Sequence, residues 1–207
     1  MTRKWNDIQW IFEPDGSLID IYVQDISIRE WEKLIDHLND NFNLTYSDKD
    51  KIDKKYVLEY LQDTSGEMES KTLTIHLGQI KVNCYFFLSE QIEFDIDPKE
   101  VNSLSDFELI EKFMTSISET LQEQVTLTAE NSPEFPLFKV DKIKEINKIL
   151  TEKEANELTG TNKSFSSHLT VLKTRVKMKF FPKQFEKELI ESANEEYRPT
   201  KKEKNVW

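Results

Sequence analysis

Two segments of this chain carry charged residues at every second position, with apolar or neutral residues between them. The acidic ladder lies in residues 92–97 and consists of Glu93, Asp95 and Asp97. The basic ladder lies in residues 172–180 and consists of Lys173, Arg175, Lys177 and Lys179. Because side chains alternate across a β-strand, each ladder should place its charges on one face of a half-buried strand. This pattern predicts a charged binding surface and does not by itself indicate a reaction.

Aromatic side chains should accompany the acidic ladder on the outward face of the sheet. The residues that we expect to bind a partner are Asp20, Tyr22, Tyr85, Phe87, Glu93, Asp95 and Asp97. Aromatic anchors ringed by charge of one sign are typical of tight protein interfaces, so the expected partner is a cationic protein. Two structural alternatives stay open. The ladders could pair with each other as adjacent strands, or the basic ladder could protect a sheet edge from aggregation.

A metal site can be assembled on paper from His76, Asp95 and Asp97, since Asp-x-Asp directs both carboxylates to one side of a strand. The other histidines are His37 and His168, and none of the three shows ligand spacing such as His-x-His. We therefore assign no metal ligand and no cofactor. A metal-dependent hydrolase or nuclease that uses Asp95 and Asp97 is the alternative function.

Two further enzymatic patterns match poorly. Restriction-type nucleases pair an Asp with an Asp-x-Lys run, and Asp15 with Asp97-Pro98-Lys99 offers those residue types. Asp15, however, falls in a predicted turn, and Pro98 should end the strand that would present Lys99. The chain has no Gly-x-Ser-x-Gly elbow, and its four glycines are too scattered for a phosphate-binding loop. We predict no catalytic residue and favour a non-enzymatic protein.

Charge and composition narrow the class of protein. The 207 residues carry a net charge of −11, which disfavours nucleic acid as a partner. The charge is uneven, because residues 169–207 hold ten Lys/Arg against six Asp/Glu. No apolar run is long enough for a membrane span and no signal peptide is evident, so we expect a soluble cytoplasmic protein. Cys84 has no partner for an internal disulfide and should be a buried thiol.

The apolar patterns along the chain predict an α+β fold that positions the acidic ladder. We expect a mostly antiparallel sheet with hairpin and meander strands, packed against two or more amphipathic helices. The predicted strands are 9–12 and 18–24 as a hairpin, then 56–62, 73–77, 80–88, 92–97, 125–129, 137–140 and 172–180. The predicted helices are 28–39, 105–122, 141–150, a short one from 151 to Gly160, and one aligning Phe185, Leu189, Ile190 and Ala193. Capping boxes are expected at Ser27–Glu30, Ser105–Glu108 and Thr151–Glu154.

Two turns set the expected register of the meander. Gly78-Gln79 suits a type II′ turn that places His76 opposite Lys81 and Thr74 opposite Asn83. A short loop at 89–91 should then place Phe87, Tyr85 and Asn83 beside Glu93, Asp95 and Asp97, in that order. We expect residues 1–150 to form an acidic α+β core domain. Residues 151–207 should form a basic strand and helix portion that packs on it.

A family resemblance rests on the size, the acidity and the opening segment from Trp10 to Val23, WIFEPDGSLIDIYV. In these features the chain resembles immunity proteins of bacterial polymorphic toxin systems, over residues 9–150 and without a diagnostic motif. The resemblance implies inhibition of a toxin domain, frequently a basic nuclease, by stoichiometric binding. It transfers no binding residues. A homo-oligomeric structural protein, whose ladders pair between subunits, is a further alternative, and the oligomeric state stays open.

Overall fold

An eight-stranded antiparallel sheet is the framework of the protein, for which the computed structural model describes residues 3–159. The strands are β1 (Ile19–Gln24), β2 (Leu44–Tyr46), β3 (Leu73–Leu77), β4 (Ile80–Cys84), β5 (Gln91–Ile96), β6 (Val125–Ala129), β7 (Pro136–Asp141) and β8 (Ile146–Ile149). Their order in the sheet is β2-β3-β4-β5-β1-β6-β7-β8. The helices are α1 (Ile28–Asn41), α2 (Lys54–Gln62), α3 (Leu104–Leu121) and α4 (Glu152–Thr159), and short 3₁₀ helices lie at Trp5–Asp7, Gln9–Phe12 and Pro98–Glu100. The predicted α+β class is confirmed.

One face of the sheet is apolar because alternate strand residues point toward helices α1 and α3. Ile21 of β1 and Phe94 of β5 are fully buried there. Phe94 packs edge to face on Phe113 of α3, with 5.3 Å between ring centroids. Trp31 of α1 is buried in the same core. Complete burial of a side chain of this size stabilises the fold by about 1.5–3 kcal/mol, so the core holds the sheet against the helices.

Side-chain caps begin the predicted helices. Ser27 and Glu30 form both halves of the capping box of α1, as predicted. Thr151 and Glu154 exchange the same pair of bonds at α4. The predicted capping box at Ser105 is wrong: the N-cap of α3 lies two residues earlier, at Ser103, whose Oγ accepts from the amide of Asp106. Asp106 Oδ2 accepts from Ser103 Oγ and from Asn102 N, so a shorter carboxylate fills the role expected of Glu108.

The predicted first strand at 9–12 is a 3₁₀ helix. Trp10, Ile11 and Phe12 are all buried, and a half-buried strand could bury only every second one of them. The turn that the sequence predicts after this segment is present: Asp15 accepts from Ser17 N, and Gly16 takes a positive φ of 92°. It leads into β1, which pairs with β5 and β6 and not with 9–12.

Two other predicted elements have the wrong type. Residues 56–62 belong to helix α2, because Asp53 caps the helix by accepting from Tyr56 N. Residues 141–150 contain strand β8 where a helix was predicted. Glu145, at φ 54°, makes the tight turn that lets β8 pair with β7. Both segments are short, so a helix cap in one and strand pairing in the other outweigh their weak periodic pattern.

The meander that carries the acidic ladder is confirmed in its first turn. His76 lies opposite Lys81 and Thr74 opposite Asn83. Strand β4 ends at Cys84 where the sequence predicted residue 88, and Asn83 lies opposite Asp95 and not Asp97. The register of β4 with β5 is therefore displaced by two residues from the expected one. Among the described residues, β5 pairs with β1 along its whole length and with β4 from Phe94 to Ile96.

The basic ladder at 172–180 and the helix predicted around Phe185 lie outside the described residues, as does His168. Within residues 3–159, no helix is both long and apolar enough to span a membrane.

Candidate protein-binding face

The face of the sheet turned away from α1 and α3 carries polar and charged side chains at its centre. In β1 the residues Ile19, Ile21 and Val23 enter the core, so Asp20 and Tyr22 point to the opposite side. Asp20 lies directly across from Asp95, and Tyr22 directly across from Glu93. Side chains at such positions are close neighbours, with about 5 Å between their Cβ atoms. We call these four residues, Asp20, Tyr22, Glu93 and Asp95, the acidic face.

Two donors share one oxygen of Asp20. The Tyr22 hydroxyl donates to Asp20 Oδ2 over 2.9 Å, and the backbone amide of Asn131 donates to the same atom over 2.5 Å. Asn131 lies between β6 and β7 with a φ of 54°, a conformation that asparagine tolerates. These bonds tie the β6–β7 connection to β1 and satisfy a carboxylate that is only 3% exposed.

Asp95 ends a chain of hydrogen bonds that crosses three strands. Thr74 Oγ1 donates to Asn83 Oδ1, and Asn83 Nδ2 donates to Asp95 Oδ1, each over 2.9 Å. Glu93 accepts from Gln91 on its own strand over 3.3 Å. Asp95 is 7% exposed, whereas Glu93 is only half-buried. Of the two β5 carboxylates in the acidic face, Glu93 is therefore the one that a partner can reach.

Burial makes the carboxyl groups of the acidic face weaker acids. Desolvation raises the pKa of Asp20 to about 7, although the bonds from Asn131 and Tyr22 oppose the shift. Desolvation also raises the pKa of Glu93 and of Asp95, and the charge of Asp95 adds to the effect at Glu93. The pKa of the Tyr22 hydroxyl rises for the same reason, so it stays a donor. The carboxyl groups of the acidic face therefore ionise at an energetic cost, and Asp20 is partly protonated near neutral pH.

An exposed group of apolar side chains lies at the end of β4, beside the acidic face. Tyr85 and Phe87 stack with 5.4 Å between ring centroids and 20° between ring planes. Phe87 is 60% exposed and Leu88 is 45% exposed, which is unusual for side chains of this size. Tyr85 also opposes the rise in the pKa of Asp95, which puts its hydroxyl near that carboxylate. We call Tyr85, Phe87 and Leu88 the aromatic tip.

The conformation of Phe86 creates the aromatic tip. Its φ of 57° is left-handed, which is rare for a bulky residue and ends the strand alternation. The Phe86 ring turns into the core and contacts Trp31 and Tyr46 at 5.6 and 6.2 Å between centroids. Trp31 Nε1 then donates to Ser89 O over 3.1 Å and fixes the connection to β5. The tip is thus held on a rigid support.

The structure brings together most of the residues that the sequence analysis selected. Asp20, Tyr22, Glu93 and Asp95 are neighbours, but Asp20 and Tyr22 are buried and support the surface from beneath. Tyr85 and Phe87 adjoin Asp95 in the aromatic tip. Asp97 is the exception, because its Oδ1 accepts from Lys99 N and caps the 3₁₀ helix at Pro98–Glu100.

Sequence reasoning missed Leu88, which strict alternation after Ile80 placed in the core. The available signal was the run of four large apolar residues, Tyr85 to Leu88, since an alternating strand cannot bury all of them. Which of the four would turn outward depends on Phe86 and its buried contacts.

The enzymatic alternatives find no assembled site in the described part of the chain. No group of three His, Cys, Asp or Glu side chains among residues 3–159 is placed to hold a metal ion. His76 hydrogen-bonds Thr45 Oγ1 over 3.1 Å, and Lys99 follows Pro98 into the 3₁₀ helix. Burial raises the pKa of Cys84 to about 12, so its thiol stays protonated at neutral pH.

Comparison with known proteins adds no relative. The chain matches no protein-family model, no curated protein and no solved structure. The resemblance to immunity proteins stays a prediction, and the geometry of the aromatic tip and the acidic face is the basis for any functional assignment.

Proposed function

We propose that this chain is a non-enzymatic, cytoplasmic binding protein that neutralises a cationic toxin domain by stoichiometric binding, as immunity proteins do. The observation that carries the proposal is the exposed aromatic tip beside the acidic face. Exposed aromatic side chains next to clustered charge of one sign are the anchors and the steering charge that a tight interface needs.

The aromatic tip is suited to act as an anchor. Phe87 is stacked on Tyr85, and the connection behind it is fixed by Phe86 in the core and by the bond from Trp31 to Ser89. The aromatic tip therefore loses little conformational entropy when a partner binds it. More of the free energy from buried area then appears as affinity. Such an anchor is expected to act mainly on the dissociation rate.

The charge of the molecule suits a basic partner. The net charge of −11 attracts a cationic domain from a distance, and Glu93 offers a half-buried carboxylate next to the tip. Complementary charge should raise the association rate and make it fall with increasing salt. The negative surface of this chain would occupy the cationic cleft of such a toxin domain in place of an anionic substrate and so block it.

The proposal predicts that a gene beside that of this chain encodes a basic toxin domain, and the two proteins are then tested for binding. We expect a one-to-one complex that abolishes the toxin's activity. Phe87→Ala should weaken binding about 30-fold or more, since a central aromatic anchor contributes about 2 kcal/mol or more.

Ile143→Ala is the matched control, because Ile143 is 58% exposed, close to the value for Phe87, and lies in the β7–β8 turn. We expect this variant to bind like the unmodified protein. Equal affinity of the Phe87→Ala variant and the unmodified protein, or a loss confined to Ile143→Ala, would contradict the proposed face.

A further inference from the structure

A single row of side chains crosses the outer face of the sheet from the acidic ladder to the last strand. Consecutive cross-strand partners make up the row, namely Glu93, Tyr22, Thr126, Lys139 and Lys148. Neighbouring strands lie about 4.8 Å apart, so the ends of the row are about 19 Å apart. A segment that starts near Lys148 therefore begins about 19 Å from Glu93 of the acidic face.

The last described helix, α4, begins beside the Lys148 end of this row. Lys148 Nζ lies 3.6 Å from Glu154 Oε1, so α4 begins next to an outward side chain of β8. The link before α4 is fixed, because Leu150 N donates to Leu137 O over 2.7 Å. Residues 160–207 follow α4 directly, and they include the basic ladder.

The acidic face lacks a counter-charge in the described part of the protein. Among residues 3–159, no Lys or Arg forms an ion pair with Asp20, Glu93 or Asp95. Asp20 and Asp95 are nonetheless almost fully buried and lie directly opposite each other. Neighbouring carboxyl groups withdrawn from water ionise at a cost, as their raised pKa values show, and a nearby cation would lower that cost.

We propose that the basic ladder of the same chain docks on the acidic face. Its four cations and absence of acidic residues complement the uncompensated carboxylates. The link from 160 to 172 can extend to about 40 Å, which exceeds the distance of about 19 Å across the row. From Phe94 to Ile96 both edges of β5 already pair with β4 and β1, so we expect the ladders to meet through the face of the sheet.

This docking concerns the free protein and does not depend on the proposed function. If both hold, a cationic partner competes with the basic ladder for Glu93, while the aromatic tip stays available for the first contact. The chain would then shield its own carboxylates until a partner displaces the ladder.

Carbodiimide cross-linking of the full chain tests the docking without any partner. We expect mass spectrometry to find links from Lys173, Lys177 or Lys179 to Glu93, and we expect them to disappear at about 1 M salt, where the Debye length is about 3 Å. An equal mixture of light and isotope-labelled chains identifies which chain supplies each lysine. Links between light and heavy chains, links only to distant carboxylates such as Glu59, or no links would each overturn the proposal.

A mutant cycle on the full chain provides a second test. One arm replaces Lys173, Arg175, Lys177 and Lys179 with Gln, and the other carries Glu93→Gln. The unfolding equilibrium constant of each variant is measured in urea. We expect the effect of one change on this constant to differ at least about twofold between the presence and the absence of the other change, as for groups in contact. The matched control replaces Lys183, Lys187, Arg198 and Lys201 with Gln, which removes the same charge. Equal coupling in the control, or no coupling in the first cycle, would overturn the proposal.

Discussion

Asp20 shows how the acidic face combines burial with charge. Its Oδ2 accepts bonds from Tyr22 and Asn131, yet desolvation outweighs both and raises its pKa to about 7. The charges of Glu93 and Glu130 push the pKa in the same direction. A carboxyl group with this environment takes up a proton in the folded protein at a pH where the unfolded chain has already lost it.

The free energy of unfolding should therefore fall as the pH rises from about 4 to about 7. The folded pKa of Asp20 lies above its ordinary value of 3.8, so the stabilisation is complete below 3.8 and is lost as the pH passes about 7. The full shift corresponds to roughly 4 kcal/mol at most. Urea unfolding at several pH values measures this slope.

Asp20→Asn should reduce that slope while keeping the structure, because one amide oxygen can accept both bonds that Oδ2 accepts. Some slope should remain, since the pKa of Glu93 and of Asp95 is raised as well. Asp36→Asn, which only alters an exposed ion pair with Lys54, serves as the control. An unchanged slope in Asp20→Asn would show that Asp20 does not carry the effect.

The connection between β4 and β5 is the element that determines the candidate site. Phe86 and Phe87 are adjacent in sequence but face opposite environments, one in the core and one in solvent. The core contacts of Phe86 with Trp31 and Tyr46 compensate its left-handed backbone. Strain concentrated at one residue of an exposed loop is typical of sites shaped for binding.

Alanine variants of Phe86 and Phe87 test whether the first residue stabilises the fold while the second does not. Phe86→Ala should lower the free energy of unfolding by about 3 kcal/mol or more, because it leaves a cavity beside Trp31. Phe87→Ala should change it by less than about 0.5 kcal/mol, since an exposed side chain contributes little to folding. Urea denaturation of both variants measures the difference. A comparable loss in Phe87→Ala would mean that the aromatic tip is part of the core.

The sequence predicts the long and strongly periodic elements well. The apolar stripe and capping box of α1 and the alternation of β3 and β4 are local signals, and they give α1, β3 and the part of β4 up to Cys84. The segments at 9–12, 56–62 and 141–150 fail because they are short and their apolar patterns do not distinguish helix from strand. The cap at Asp53 and the turn at Glu145 decide the type of the last two. The candidate residues of β1 and β5 follow from alternation alone, whereas the exposure of Leu88 and the burial of Asp20 require the tertiary structure.

At the scale of the whole molecule, the fold separates stability from recognition. Helices α1 and α3 and the inner face of the sheet form the core, while the carboxylates lie on the opposite face of β1 and β5. The negative net charge and the basic final segment give the chain two oppositely charged parts. A cationic partner and the basic ladder would bind the same carboxylates, so both proposals depend on the acidic face.

The most direct measurement of the central claim is backbone hydrogen exchange of the full chain, alone and bound to the basic toxin domain. We predict that the partner slows exchange in residues 85–93, which contain the aromatic tip and the accessible end of β5, and leaves the β7–β8 turn at Ile143 unchanged. Slower exchange confined to α3 or the β7–β8 turn, with residues 85–93 unaffected, would contradict the account.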